Sequence, residues 1–209
     1  MKVTALAPEP SGSGVRIRLD GEPFVTVSAD DIVTHGIRVG KEIDAATHAE
    51  LSRLAEVFAA RKVAMRLLGI RAFASGELAR RLAQRGHAQW AISAAVAELV
   101  RLGLIDDEEF ARHFVRTRSR NKRLGPARLR ADLRRRGVAD AVIERALADA
   151  LELDGVDSRQ LLREAAFRKA ASLRGLDPER AHRRLRAYLQ RRGFSGSDVT
   201  AVVKEALAG

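Results

Sequence analysis

The sequence contains no cysteine, which removes disulfides, thiolate catalysis and zinc-thiolate sites together. Aromatics are scarce: one tryptophan, one tyrosine and seven phenylalanines in 209 residues. Leucine, alanine, valine and isoleucine must therefore fill the core. No apolar run approaches the ~20 residues of a membrane span, and the opening MKVTALAPEP lacks the apolar segment of a signal peptide. A soluble, cytoplasmic protein with no membrane partner is expected. The five histidines, His35, His48, His87, His113 and His182, are scattered, with no pair at metal-ligand spacing. Neither a P-loop nor a nucleophile elbow is present. No catalytic residue, metal ligand or cofactor is assigned, and a non-enzymatic protein is expected.

Positive charge is abundant but uneven. The chain carries a net charge of +11. Residues 1–57 hold six Lys or Arg against nine Asp or Glu, a net −3, whereas residues 58–209 hold 32 against 18, a net +14. The densest stretch runs from Arg112 to Arg136, with eleven Lys or Arg and one acid, Asp132. Arginine exceeds lysine 32 to 6, a ratio that codon bias alone would also produce. Phe110 and Phe114, then Leu129 and Leu133, keep helical spacing through this stretch. At 3.6 residues per turn, Arg112, Arg116, Arg120 and Arg123 fall on the side opposite Phe110 and Phe114. Like charges at i,i+4 destabilise a helix unless a partner neutralises them, so the pattern points to a surface that meets a polyanion.

The first 44 residues read as a small β module. Val15, Ile17 and Leu19 alternate with polar residues, and Phe24, Val25 and Val27 resume the pattern after Asp20-Gly21, a hairpin signal. Lys2 to Leu6 suggests a third strand, with a loop over Pro8–Gly14. Pro23 belongs at a strand start or edge, because it cannot donate to a ladder. Ser28 to Asp31 opens a short helix by capping-box logic and Gly36 closes it. From about Asp44 every signal is helical, and a first amphipathic segment runs through Leu51, Leu54, Phe58, Val63, Leu67 and Leu68 to Gly69.

An internal repeat then fixes the expected architecture. Three segments align without gaps on Gly86, Gly137 and Gly193, spaced 51 and 56 residues apart. Leu78, Leu129 and Leu185 precede these glycines by eight residues, and Leu82, Leu133 and Leu189 by four. Ile92, Ile143 and Val199 follow by six, and Arg85, Arg136 and Arg192 stand immediately before. A Leu pair, a glycine stop and a second amphipathic run describe two helices joined by a tight turn. With a preceding helix at about 48–70, 107–122 and 158–174, the unit is three helices used three times. The expected divisions are 1–44, 45–105, 106–154 and 155–209. The glycine is read as a left-handed helix stop, not a phosphate loop, which would have to open a helix. Asp106-Asp107-Glu108-Glu109 offers four carboxylates, but consecutive residues cannot all face one ion. An N-cap with acids in the first turn accounts for them without a metal.

At these residues the chain resembles the RecX regulatory proteins. The resemblance rests on Ser75, Glu77, Leu78, Leu82 and Gly86, on the GLIDDEEFA run at Gly103–Ala111, and on the basic segment leading to Gly125, Leu129, Leu133 and Gly137. It covers residues ~60–205, most specifically in the middle block. It implies a mainly α fold in which three-helix repeats form an elongated curved body. It also implies binding along the groove of RecA–DNA filaments, inhibition of RecA strand exchange and ATP hydrolysis, and filament shortening. The implied setting is homologous recombination, DNA repair and the SOS response.

The candidate contacts to RecA or DNA are Arg112, Arg116, Arg118, Arg120, Lys122, Arg123, Arg128, Arg130, Arg134 and Arg135, flanked by Arg80, Arg81, Arg183, Arg184 and Arg191. Guanidinium groups pair equally with phosphates and with acidic protein surface, so both the RecA filament and single- or double-stranded DNA are expected partners. A monomer is expected. Trp90 and Tyr188 lie in other repeats, so no aromatic platform accompanies the basic stretch, and Trp90 is read as packing. The rival reading is a stand-alone DNA-binding protein, since two helices across a tight turn also describe a helix-turn-helix reader. Against it, Ala139–Leu151 offers only Arg145 as a base donor.

Overall fold

The computed structural model describes residues 1–10, 14–152 and 157–208; the loop expected over Pro8–Gly14 lies in part outside them. The described chain is mainly helical, with one small sheet, and divides into two compact units at Ile105/Asp106.

In the first unit, β1 (Val3–Pro8), β2 (Val15–Leu19) and β3 (Glu22–Val27) form an antiparallel sheet in that order. Asp20 and Gly21 turn the hairpin with φ of 48° and 90°, as a type I′ turn requires. Pro23 sits near the start of β3, an edge strand, beside a register shift between Ile17 and Arg18. Helix α1 (Ala29–Thr34) carries a complete capping box between Ser28 and Asp31. Helix α2 (Ala45–Leu68), capped by Asp44 on the Thr47 N–H, serves two cores. Its Leu51 packs with Val3, Ile17 and Val27 of the sheet. Its Ala64 and Leu67 pack with Leu78, Leu82, Ile92 and Leu99 of α3 (Ser75–Ala83) and α4 (Gln89–Arg101). Trp90 is not fully packed: the residue is 40% exposed, with the Arg53 guanidinium 4.8 Å from its ring centroid.

The second unit holds two further triplets. Helices α5 (Asp107–Lys122), α6 (Pro126–Arg135) and α7 (Asp140–Glu152) form one; α8 (Ser158–Ala171), α9 (Pro178–Arg191) and α10 (Ser197–Ala208) form the other. The repeat read from sequence is a repeat of packing. Leu78, Leu82, Leu129, Leu133, Leu185 and Leu189 are each at most 1% exposed. Gly86, Gly137 and Gly193 take φ of 84°, 80° and 85°. The next residue closes each helix by donating its N–H to the second leucine's carbonyl, as Val138 does to Leu133 at 3.2 Å. This is a Schellman-type stop.

The two triplets of this unit meet backbone to backbone. Helix α6 has no side-chain cap at Gly125. Instead the Gly125 N–H donates to the Arg192 carbonyl at 2.7 Å, and the Ala127 N–H to the Gly193 carbonyl at 3.3 Å. The two carbonyls that follow α9 thus cap the N–H end of α6, an arrangement that also brings opposite helix-dipole ends together.

Candidate polyanion interface

Asp106 caps α5 by accepting from the Glu108 and Glu109 N–H groups, both at 2.9 Å. The acids of the first turn do not converge: Glu108 pairs with Arg145 at 2.6 Å and Glu109 with Arg112 at 3.3 Å. Among the described residues no group of carboxylates and histidines is placed to hold a metal. Phe114 is buried and stacks with Phe110 at 6.3 Å, while Arg112, Arg116 and Arg120 are exposed on the same helix. Arg118 is half-buried, its guanidinium 5.4 Å from the Phe114 ring centroid.

Arg123 departs from the expected face. The helix ends at Lys122, and Arg123 caps it in the left-handed region with φ 48°. That turn swings the side chain onto α8, where Nε donates to Glu164 Oε2 at 2.8 Å. Helical periodicity cannot position a residue that has left the helix.

The cations of α6 are also less free than their density suggests. Arg130 grips Glu144 through two hydrogen bonds at 2.7 and 2.8 Å, and Arg134 pairs with Asp140 at 2.6 Å. Asp132 accepts from Arg128 at 3.3 Å and from Arg135. Glu144 and Asp140 lie beyond the basic stretch and reach it because α7 folds back on α6. The hydrogen bond from Arg130 holds the Glu144 carboxyl below its ordinary range. The hydrogen bonds to Glu144 and Asp140 raise the Arg130 and Arg134 guanidinium groups in turn. Exposed pairs of this kind contribute little stability, but they cancel charge. The like charges of α6 are therefore compensated within the protein.

Of the flanking arginines, Arg80 and Arg81 stand exposed on α3 in the first unit. Arg183 lies 3.8 Å from Glu179, and Arg184 is exposed. Arg191 joins a different group. A cavity of about 440 Å³ within the second unit is lined by Arg118, Lys122, Arg123, Arg128 and Arg191 of the expected set, together with Arg168, Tyr188 and Arg192. Sequence reasoning missed these last three as site residues. Arg192 stood out only as a repeat position. Tyr188, expected to lie apart from the basic stretch, is brought to its edge by α9, with the Arg192 guanidinium 4.8 Å from its ring centroid.

Comparison with known proteins then identifies the lineage. The family model described as RecX, second three-helix domain, matches residues 106–147, and that for the third three-helix domain matches residues 157–203. A regulatory protein RecX of Halorhodospira halophila is 38% identical over 148 residues, covering 71% of this chain and 88% of that protein. The chain belongs to the RecX family of regulatory proteins. Another RecX, of Pelodictyon phaeoclathratiforme, is 33% identical over 141 residues, covering 68% of this chain and 84% of that protein. A crystal structure of regulatory protein RecX matches with a TM-score of 0.79 and 21% identity, covering 98% of both chains. RecX from Lactobacillus salivarius matches with a TM-score of 0.60 and 21% identity, covering 72% of this chain and 96% of that one. These two structures show that the RecX fold is shared. No helix among the described residues is long and apolar enough to cross a membrane.

Proposed function

We propose that this RecX-family chain binds RecA–DNA filaments along their groove, inhibits RecA strand exchange and ATP hydrolysis, and favours filament shortening. It does so as a cytoplasmic monomer without enzymatic activity of its own. Residues 1–44 serve as an accessory module, and residues 45–105, 106–154 and 155–209 as the three repeats. The observation that carries the reading is Arg116, exposed on α5 with no acidic partner among the described residues, in a chain that belongs to this family. Arg112 and Arg120 extend the same exposed side, and Lys122 follows at the helix end.

The helix-turn-helix alternative loses its one base donor. Arg145, the arginine of α7, is tied to Glu108 at 2.6 Å, so reading a base would first break an ion pair. The test is titration of the protein against bare single-stranded DNA and against RecA–DNA filaments at two salt concentrations. Much tighter binding to the filament is expected. Equal affinity for both, falling steeply with salt, would instead identify a general DNA binder.

A further inference from the structure

The cavity where the second and third triplets join has the size of a small-molecule site, about 440 Å³, within the range of pockets that enclose a nucleotide-sized ligand. Arg118 and Lys122 reach it from α5, Arg168 from α8, and Arg191 and Arg192 from the end of α9. Arg192 is engaged within the protein: it donates to the Lys122 carbonyl and stacks on Tyr188. The side chains of the other four cations have no carboxylate partner among the described residues. The rim's acid, Asp132, is already shared between Arg128 and Arg135.

That contrast is informative. On α6 and α7 the same chain pairs its arginines with acids, and two lining arginines are paired too, Arg123 with Glu164 and Arg128 with Asp132, whereas Arg118, Lys122, Arg168 and Arg191 are supplied no free acid. Converging like charges between low-dielectric walls focus a positive potential that a bound anion neutralises. Four unpartnered cations exceed what one phosphodiester, with a single charge, would balance. They match several phosphate groups in close succession, which guanidinium groups bind through paired N–H donors.

We propose that this cavity is an oligophosphate site, which takes two or three neighbouring phosphate groups. Because its walls come from both triplets, a bound ligand also bridges them. Arg118, Lys122 and Arg191 are also among the contacts expected for RecA or DNA, so the site rests on the filament reading where the ligand is a DNA strand, while its test uses the protein alone. Neighbouring phosphates come from two sources, a free nucleoside triphosphate or successive phosphates of a DNA strand, and the test separates them.

The test is calorimetric titration of the full chain with inorganic tripolyphosphate, ATP and a short thymidine oligomer. The variants are Arg168→Ala/Arg191→Ala, the same pair changed to Lys, and Arg66→Ala/Arg101→Ala as a charge-matched control remote in sequence. Wild type should bind one ligand per chain. The Arg168/Arg191 alanine pair should weaken binding about tenfold or more, as expected for lost charge-assisted hydrogen bonds. The Lys pair should recover part of the affinity, and the control should bind as wild type does. Saturable binding of tripolyphosphate and ATP assigns the site to free nucleotides, and binding of the oligomer alone assigns it to a strand. Equal weakening in the alanine pair and the control, or no saturable binding of any of the three, overturns the proposal.

Discussion

A Cβ added to Gly125 would lie 2.5 Å from the carbonyl oxygen of Gly193. The two glycines stand 68 residues apart in sequence, and their contact lets the N-terminus of α6 receive the carbonyls of Arg192 and Gly193, which follow α9. Neither position tolerates a side chain, because a Cβ on Gly193 would in turn come within 2.2 Å of the Arg128 nitrogen.

Gly125→Ala should therefore destabilise the second unit. Its φ of −78° suits any residue, so the cost is steric and falls on the junction, about 1–3 kcal/mol as for other overpacked sites. Gly86→Ala is the contrast: φ is 84° and nothing lies within 4 Å of the added Cβ. There the cost is backbone strain alone, about 1 kcal/mol. Urea denaturation of both variants checks the order.

Leu129 and Leu133 are 1% and 0% exposed, and truncation of either to Ala should cost about 2–5 kcal/mol. Ala127→Ser, two residues before Leu129 at an exposed position, should be nearly silent. Thermal melts in which Ala127→Ser proved the most damaging would refute the packing described for α6.

Arg116 and Arg123 should part company. Arg116→Ala removes an exposed cation and should change stability by no more than about 0.5 kcal/mol. It should weaken filament binding, and if its contact is a phosphate it should flatten the salt dependence by roughly one unit of slope or less. Arg123→Ala breaks the partly exposed pair with Glu164, and should lower stability by up to about 1 kcal/mol. Parallel melting curves and filament titrations at several salt concentrations distinguish the two roles.

Glu144 should titrate below the ordinary glutamate range, because its hydrogen bond from Arg130 favours the carboxylate. A carboxyl depressed in the folded state stabilises the protein above its unfolded pKa, and that contribution disappears as pH falls through the folded value. The Arg130–Glu144 link between α6 and α7 should thus be intact at neutral pH and lost in acid. In Arg130→Ala the Glu144 carboxyl should return toward its ordinary range, which carboxyl-resolved NMR titration measures directly. An unchanged midpoint would assign the depression to another group.

The amino-acid sequence alone sets the triplet repeat, the hairpin at Asp20-Gly21, the Asp106 cap and the three glycine stops. Each is a local signal, in which hydrophobic spacing, an N-cap carboxylate or a positive φ acts within a few residues. It also determined that Leu129 and Leu133 are core, since the same Leu pair recurs in all three repeats. Which arginines remain free to meet a partner was decided only by tertiary structure. Arg130 is tied to an acid 14 residues on and Arg123 to one 41 residues on. The cavity collects Arg118 and Lys122 with Arg168, Tyr188 and Arg191 from the next triplet. Side-chain ion pairs form wherever folding brings opposite charges together, and helical periodicity carries no information across the turns that bring α7 onto α6 and α9 onto its N-terminus.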